Sequence, residues 1–149
     1  MVSCGIALRN KDGKYLFVQA TGNNRERCFG VPKGVVNEGE DFEECARREF
    51  FEETNNKING DIYLVYDEDQ NNEHITTVNK KYLKIFLAHG EFDFDNFKSN
   101  TCIIKVNDKD VEIPEVCNPT FFTLEEAKKK CFFSQIKLVE ELEKLENNL

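Results

Sequence analysis

The chain has 149 residues, the size of one ordinary domain, with 40% hydrophobic and 32% charged residues, 13 Phe and a formal net charge of −8; that composition supports a packed core and excludes a disordered chain. The acidic balance makes a nucleic-acid partner an unfavourable expectation, so a phosphate-bearing ligand would need a local cation. No run reaches the roughly 18 apolar residues of a membrane span, and no basic-then-apolar leader precedes Val2-Ser3-Cys4-Gly5-Ile6, so a cytoplasmic protein without a membrane partner is expected.

In chain order, Cys4 to Leu8 and Tyr15 to Ala20 are apolar runs flanking Lys11-Asp12-Gly13-Lys14, where Asp-Gly supplies the positive φ of a tight turn. Thr21 to Arg27 reads as a loop, Cys28 and Phe29 as a short strand, and Gly30 to Gly39 as a second, Gly-rich loop. A helix is predicted from Asp41, with Glu44 closing a capping box, to about Thr54, where Asn55-Asn56 stops it. Further strands are predicted at Ile62 to Tyr66, Ile75 to Val78, Tyr82 to Ala88, Thr101 to Val106 and Thr120 to Phe122. Thr123-Leu124-Glu125-Glu126 opens a short helix, and Ile136, Val139, Leu142 and Leu145 give the last one an apolar stripe. The six cysteines are scattered, with no C-x-x-C pair, and read as reduced, mostly buried thiols. No repeat or linker divides the chain, so we expect one α/β (α+β) domain over residues 1–149.

The chemistry concentrates in Gly34-Val35-Val36-Asn37-Glu38-Gly39-Glu40 and the helix that follows. At about 100° per residue, Phe42, Ala46 and Phe50 define an apolar stripe, and Glu49 and Glu53 lie on it or at its border with Glu52 alongside. A solvated acidic helix would turn these carboxylates away, as Glu43, Glu44 and Arg47 do. Carboxylates gathered at i, i+3 and i+4 repel one another unless a cation sits among them, and hard divalent cations prefer such oxygen ligands. The alternative is a solvated helix end with Arg48 paired to Glu52.

The segment resembles the Nudix box, G-x5-E-x7-R-E-U-x-E-E-x-G-U, through Gly34, Glu40, Arg48, Glu49, Phe50, Glu52 and Glu53. A chance match at these seven positions is on the order of 10⁻⁵ to 10⁻⁴ from average residue usage. Two positions depart from it. Asn55 replaces the box Gly, a mild change because Asn tolerates the left-handed conformation that ends helices; Asn56 replaces an apolar residue, a place that Ile58 may take.

The resemblance implies a Nudix fold, a mixed curved sheet sandwiched between helices. It also implies a Mg²⁺- or Mn²⁺-dependent hydrolase in which activated water attacks one phosphorus of a diphosphate linkage. Carried over by position, Glu49 and Glu53 are the principal metal ligands, and Glu52 is a further ligand or a support held by Arg48. Glu40 braces the loop or binds metal through water, and the Gly34 carbonyl reaches the metal. Glu115, in Ile113-Pro114-Glu115, is the first choice of general base and Glu112 the second, though a solvated turn residue is the competing reading. Lys33, in a Pro-Lys-Gly element, is placed to meet a phosphate, with Arg25 and Arg27 as further contacts. His74 and His89 show no partner pattern.

The expected partner is a small nucleotide-like diphosphate, with the chain acting as a monomer or homodimer. Dinucleoside polyphosphates such as diadenosine tetraphosphate are favoured over nucleoside triphosphates, capped RNA or diphosphoinositol phosphates. A nucleotide-binding module without hydrolysis is the alternative class.

Overall fold

The computed structural model describes residues 1–23, 25–68 and 81–148. Nine strands lie in the order β1 (Val2–Arg9), β2 (Tyr15–Ala20), β3 (Phe29–Gly30), β4 (Lys33–Val35), β5 (Tyr63–Asp67), β6 (Tyr82–His89), β7 (Thr101–Val106), β8 (Lys109–Pro114) and β9 (Val116–Phe122). Helix α1 (Phe42–Thr54) falls between β4 and β5, and α2 (Leu124–Lys130) and α3 (Ile136–Asn147) close the chain. Seven strands form a mixed sheet of order β3-β2-β1-β6-β5, with β4 on β1 and β9 on β2; β7 and β8 form a separate hairpin.

β1 runs parallel to β6 along its full length, from Val2 opposite Tyr82 to Arg9 opposite His89. Its other edge is shared: Ser3 to Gly5 pair with β4, and Arg9 pairs with β2. The sheet forks there, and β4 leads into the loop that feeds α1.

Both faces of β1 and β6 are covered, and side chains alternate between two cores as the strand period of two requires. Cys4, Ile6, Leu8, Leu16, Phe86 and Ala88 pack with Cys45, Ala46 and Phe50 of α1. Ala7, Tyr15, Phe17, Leu83 and Ile85 pack on the opposite face with Ala127 of α2 and Leu138, Val139 and Leu142 of α3. Phe50 is fully buried and meets Phe92 edge-on at 6.2 Å. We expect Phe50→Ala to cost about 3–5 kcal/mol, the usual range for emptying a buried aromatic site, measured as a shift of the urea unfolding midpoint at constant slope.

Several expectations are corrected. The Asp12-Gly13 turn has positive φ only at Gly13 and is closed by Asn10, whose Oδ1 accepts from the N–H groups of Asp12 and Lys14. Part of the predicted loop Gly30 to Gly39 is strand β4, which is too short for alternation to show. β8 was not predicted; it pairs antiparallel with β7 across Asn107 and Asp108, both left-handed (φ 52° and 65°), as a two-residue primed turn demands. Asp41 caps α1 by accepting from Glu44 N–H at 2.7 Å, whereas the reciprocal capping box forms only on Thr123 and Glu126. Phe42 leaves the predicted stripe: it is 41% exposed and lies under the Lys84 ammonium at 4.7 Å. In α3 the buried stripe is Leu138, Val139 and Leu142, with Leu145 exposed. The strand predicted at Ile75 to Val78, and His74, lie outside the described residues; His89 ends β6 in an exposed position.

All six cysteines are free thiols, four of them buried. Among the described residues no helix is long and apolar enough to cross a membrane.

Candidate active site

The helix carrying the acidic motif is fixed at both ends. Asp41 caps its start, and Asn55 ends it in the left-handed conformation (φ 56°), its N–H donating to Phe51 O. Ile58 packs against the core on the α1 side of the sheet, the place foreseen for it, while Asn56 bridges to the backbone of Asp93. Cys45, Ala46 and Phe50 anchor the helix to β1, so the carboxylates of its last turns are held beside β4.

Arg48 organises this acidic surface. Its Nε and Nη2 donate to the two Glu40 oxygens at 2.7 and 2.9 Å, its Nη1 to Glu49 at 2.7 Å and Glu52 at 3.2 Å, and Nη2 also to Val35 O at 3.0 Å. Such a bidentate, charge-assisted pair ties the loop to the helix. The guanidinium and the Asn37 N–H hold the Glu40 carboxyl down at about 2.

Glu53 stands apart from this clamp. It is 5% exposed, and its Oε2 accepts from Lys33 N–H at 2.9 Å. Burial, outweighing that hydrogen bond, and then the charges of Glu115 and Glu49 push its carboxyl up to about 8. Burial likewise raises Glu49 against the pull of Arg48. Glu49 lies over Gly34, where a built Cβ would overlap its carboxylate, so only glycine lets the strand and this side chain approach so closely.

Glu115 comes from a distant part of the chain. Its N–H donates to Asn100 O at 2.8 Å, its carbonyl accepts from Thr21 N–H, and Asn100 N–H donates to Glu52 O at 2.8 Å. The feet of the β7–β8 hairpin are thereby stapled to the end of α1. Glu115, Glu53 and Lys33 line one cleft of about 190 Å³ with Val18, Val116 and Gln135. Glu112 is elsewhere, accepting from the Thr101 hydroxyl on the exposed hairpin.

Arg27 donates to the carbonyls of Lys128 and Cys131 and stacks on Phe133 at 4.5 Å. With Arg25, Phe132 and Phe133 it lines a groove of about 330 Å³, which meets the cleft at Phe132. Sequence reading did not single out Gln135 or Phe132. The only available signal was a polar residue opening the last helix, which is weak.

A hard divalent cation suits this chemistry: the donors are carboxylate oxygens and a backbone carbonyl, and one carboxylate is buried beside two others with a backbone N–H as its partner. Among the described residues, no three Asp, Glu, His or Cys side chains form a ready cage, because Arg48 draws Glu40, Glu49 and Glu52 to itself.

Forked mixed sheet, flanking helices and an acidic helix behind a glycine loop together define the architecture of a Nudix domain. The NUDIX domain family model matches residues 1–142, so the chain belongs to the Nudix family and is a Nudix-type pyrophosphohydrolase. No curated protein matches the sequence. Among solved structures, the chain is similar to a C. elegans Ap4A hydrolase in a binary complex, with 20% identity, a TM-score of 0.63 and coverage of 99% of this chain and 98% of that one. A MutT protein from Methanosarcina mazei Go1 aligns at 19% identity and a TM-score of 0.58, over 99% and 94% of the chains. The NUDIX domain of Shewanella oneidensis NrtR, complexed with ADP ribose, aligns at 16% identity and a TM-score of 0.65, over 97% and 86%. At such identities these likenesses concern the fold.

Proposed function

We propose that residues 1–149 form one catalytic domain, working in the cytoplasm, that uses Mg²⁺ or Mn²⁺ to hydrolyse a diphosphate linkage in a small nucleotide-like substrate. The observation that carries this reading is the convergence of Glu49, Glu53 and Glu115 near one cleft, where burial and like charge hold Glu53 at about 8. Such an arrangement is costly in a structural helix and useful around a cation.

In this reading Glu49 and Glu53 hold the cation, with Glu52 and the Gly34 carbonyl completing the set. A bound divalent ion supplies a lowered water pKa and neutralises charge on the phosphate oxygens. Arg48 and Glu40 position the ligands by pinning the loop to the helix. Glu115 takes the proton of the attacking water, because it reaches the cleft on a backbone clamped at both its N–H and its carbonyl. Lys33, whose backbone already holds Glu53, presents its ammonium to a phosphate, and Arg25 lies further along the groove. Arg27, whose donors are engaged by the end of α2, chiefly holds that groove in shape.

Dinucleoside polyphosphates are the favoured substrates, because two partly apolar hollows, the cleft and the Phe132–Phe133 groove, adjoin each other at Phe132 and suit two ring systems joined by a charged chain. A non-hydrolytic module would have no need of the buried Glu53. The test is a panel of dinucleoside polyphosphates, nucleoside triphosphates, capped RNA and diphosphoinositol phosphates incubated with Mg²⁺, with products resolved by chromatography; failure to cut any diphosphate overturns the reading.

Lys33→Ala is expected to raise KM by about tenfold while kcat changes less, since a phosphate contact of this kind is made in both ground and transition states. An unchanged KM on the best substrate removes Lys33 from the site.

A further inference from the structure

Gln135 is 1% exposed and lies in the short 3-10 segment Phe133–Gln135 that joins α2 to α3. Its Oε1 accepts from Val31 N–H at 3.0 Å. Its Nε2 donates to no protein acceptor, although Gln135 lines the cleft that contains Glu53 and Glu115. A buried amide donor without a partner costs free energy unless something else supplies the acceptor.

Two features hold that donor where it is. The amide cannot turn over, because a flip would place Nε2 against the Val31 N–H, donor against donor. Gly30 adds a second constraint. Its backbone needs no left-handed φ, yet a Cβ there would approach Nε2 to 2.6 Å, so glycine at this position makes room for the amide. The surrounding walls are apolar: Val18, Ala20, Val31, Val116 and Phe132. Apolar walls with one fixed donor suit a flat heteroaromatic ring, whereas a sugar would demand several polar partners.

We propose that this cleft seats the nucleobase of the substrate and that Gln135 Nε2 donates to one acceptor atom of the ring, making Gln135 a specificity-determining residue. The naming of the ligand rests on the hydrolase reading above. Since Oε1 is committed to Val31, the site reads an acceptor and rejects a base edge that presents a donor there. Discrimination of this kind arises from the polar group left unpaired by the wrong ligand.

The test measures Kd by calorimetry with Mg²⁺ omitted, so that the readout is binding rather than turnover. Ligands are the common nucleoside triphosphates, deaza analogues of the tightest binder in which one ring nitrogen becomes C–H, and inorganic tripolyphosphate as a base-free control. On the wild-type chain, one such deletion is expected to weaken binding by about tenfold, the scale of one hydrogen bond. On Gln135→Met the same deletion should cost nothing, while tripolyphosphate binds both proteins alike.

Gln135→Met also strips the Val31 N–H, so Gly30→Ala, which displaces the amide, provides a second variant with the same expected pattern. The proposal is overturned if no deletion moves the wild-type Kd, or if each variant weakens tripolyphosphate as much as the nucleotides. A chain that binds nucleotides in this pattern but cuts no diphosphate would overturn the hydrolase reading and leave the base site standing.

Discussion

Glu53→Gln is expected to lower kcat by about 10³-fold at saturating Mg²⁺, the scale of losing a principal electrostatic group at a reacting centre, without unfolding the domain. The amide still accepts from Lys33 N–H, and the change removes one charge from a site where Glu49 and Glu115 already oppose it. Glu49→Gln should behave alike, with the added loss of one Arg48 contact. Near-wild-type turnover in either variant would end the reading of this helix as a metal platform.

Stability against pH gives an independent check with a definite sign. With its carboxyl at about 8 when folded and 4.5 ordinarily, Glu53 keeps in the folded state a proton that the unfolded chain has released. Its contribution is therefore full below the lower value and is lost as pH rises through the upper one. In a chelator, the wild-type melting temperature should fall across that window, and Glu53→Gln should flatten the fall. Added Mg²⁺ should stabilise the wild type more at the alkaline end, because binding requires the ionised carboxylate.

Glu115→Gln is expected to lower kcat by about 10²- to 10⁴-fold, the range of general-base catalysis, while Mg²⁺ affinity, carried by α1, stays nearly constant. The clamp on its backbone survives the substitution, since both hydrogen bonds are main-chain. The acidic limb of the kcat profile should flatten or move. Glu112→Gln, on the exposed hairpin, should leave kcat unchanged. Full kcat with an unmoved acidic limb in Glu115→Gln would exclude it as the base.

The legible parts of this molecule were the local ones. Cap, stripe and spacing located α1 and its carboxylates, because helix geometry relates residues three and four apart directly. The left-handed end at Asn55 was readable from the same logic. What escaped depends on contacts made across the chain. β4 is three residues long and is held by its partner β1, and β8 is mostly exposed, so neither carries an alternating pattern. Phe42 looked like core until Lys84 supplied a polar neighbour for its ring. Glu115 could be nominated from sequence, but only the staple through Asn100 brings it to Glu53's cleft, and Gln135 gave almost no signal because its role depends on Val31 and Gly30.

The staple at the feet of the β7–β8 hairpin has a practical consequence for engineering. Everything that locates Glu115 lies at Ser99, Asn100 and Val116, below the two strands, while the Asn107–Asp108 tip points away from both cores and is closed by its own turn chemistry. The arm can thus be shortened, lengthened or replaced by a tag or a reporter domain in matched pairs of residues. Register, which shifts with every single residue added to one strand, is the only rule such a graft has to respect.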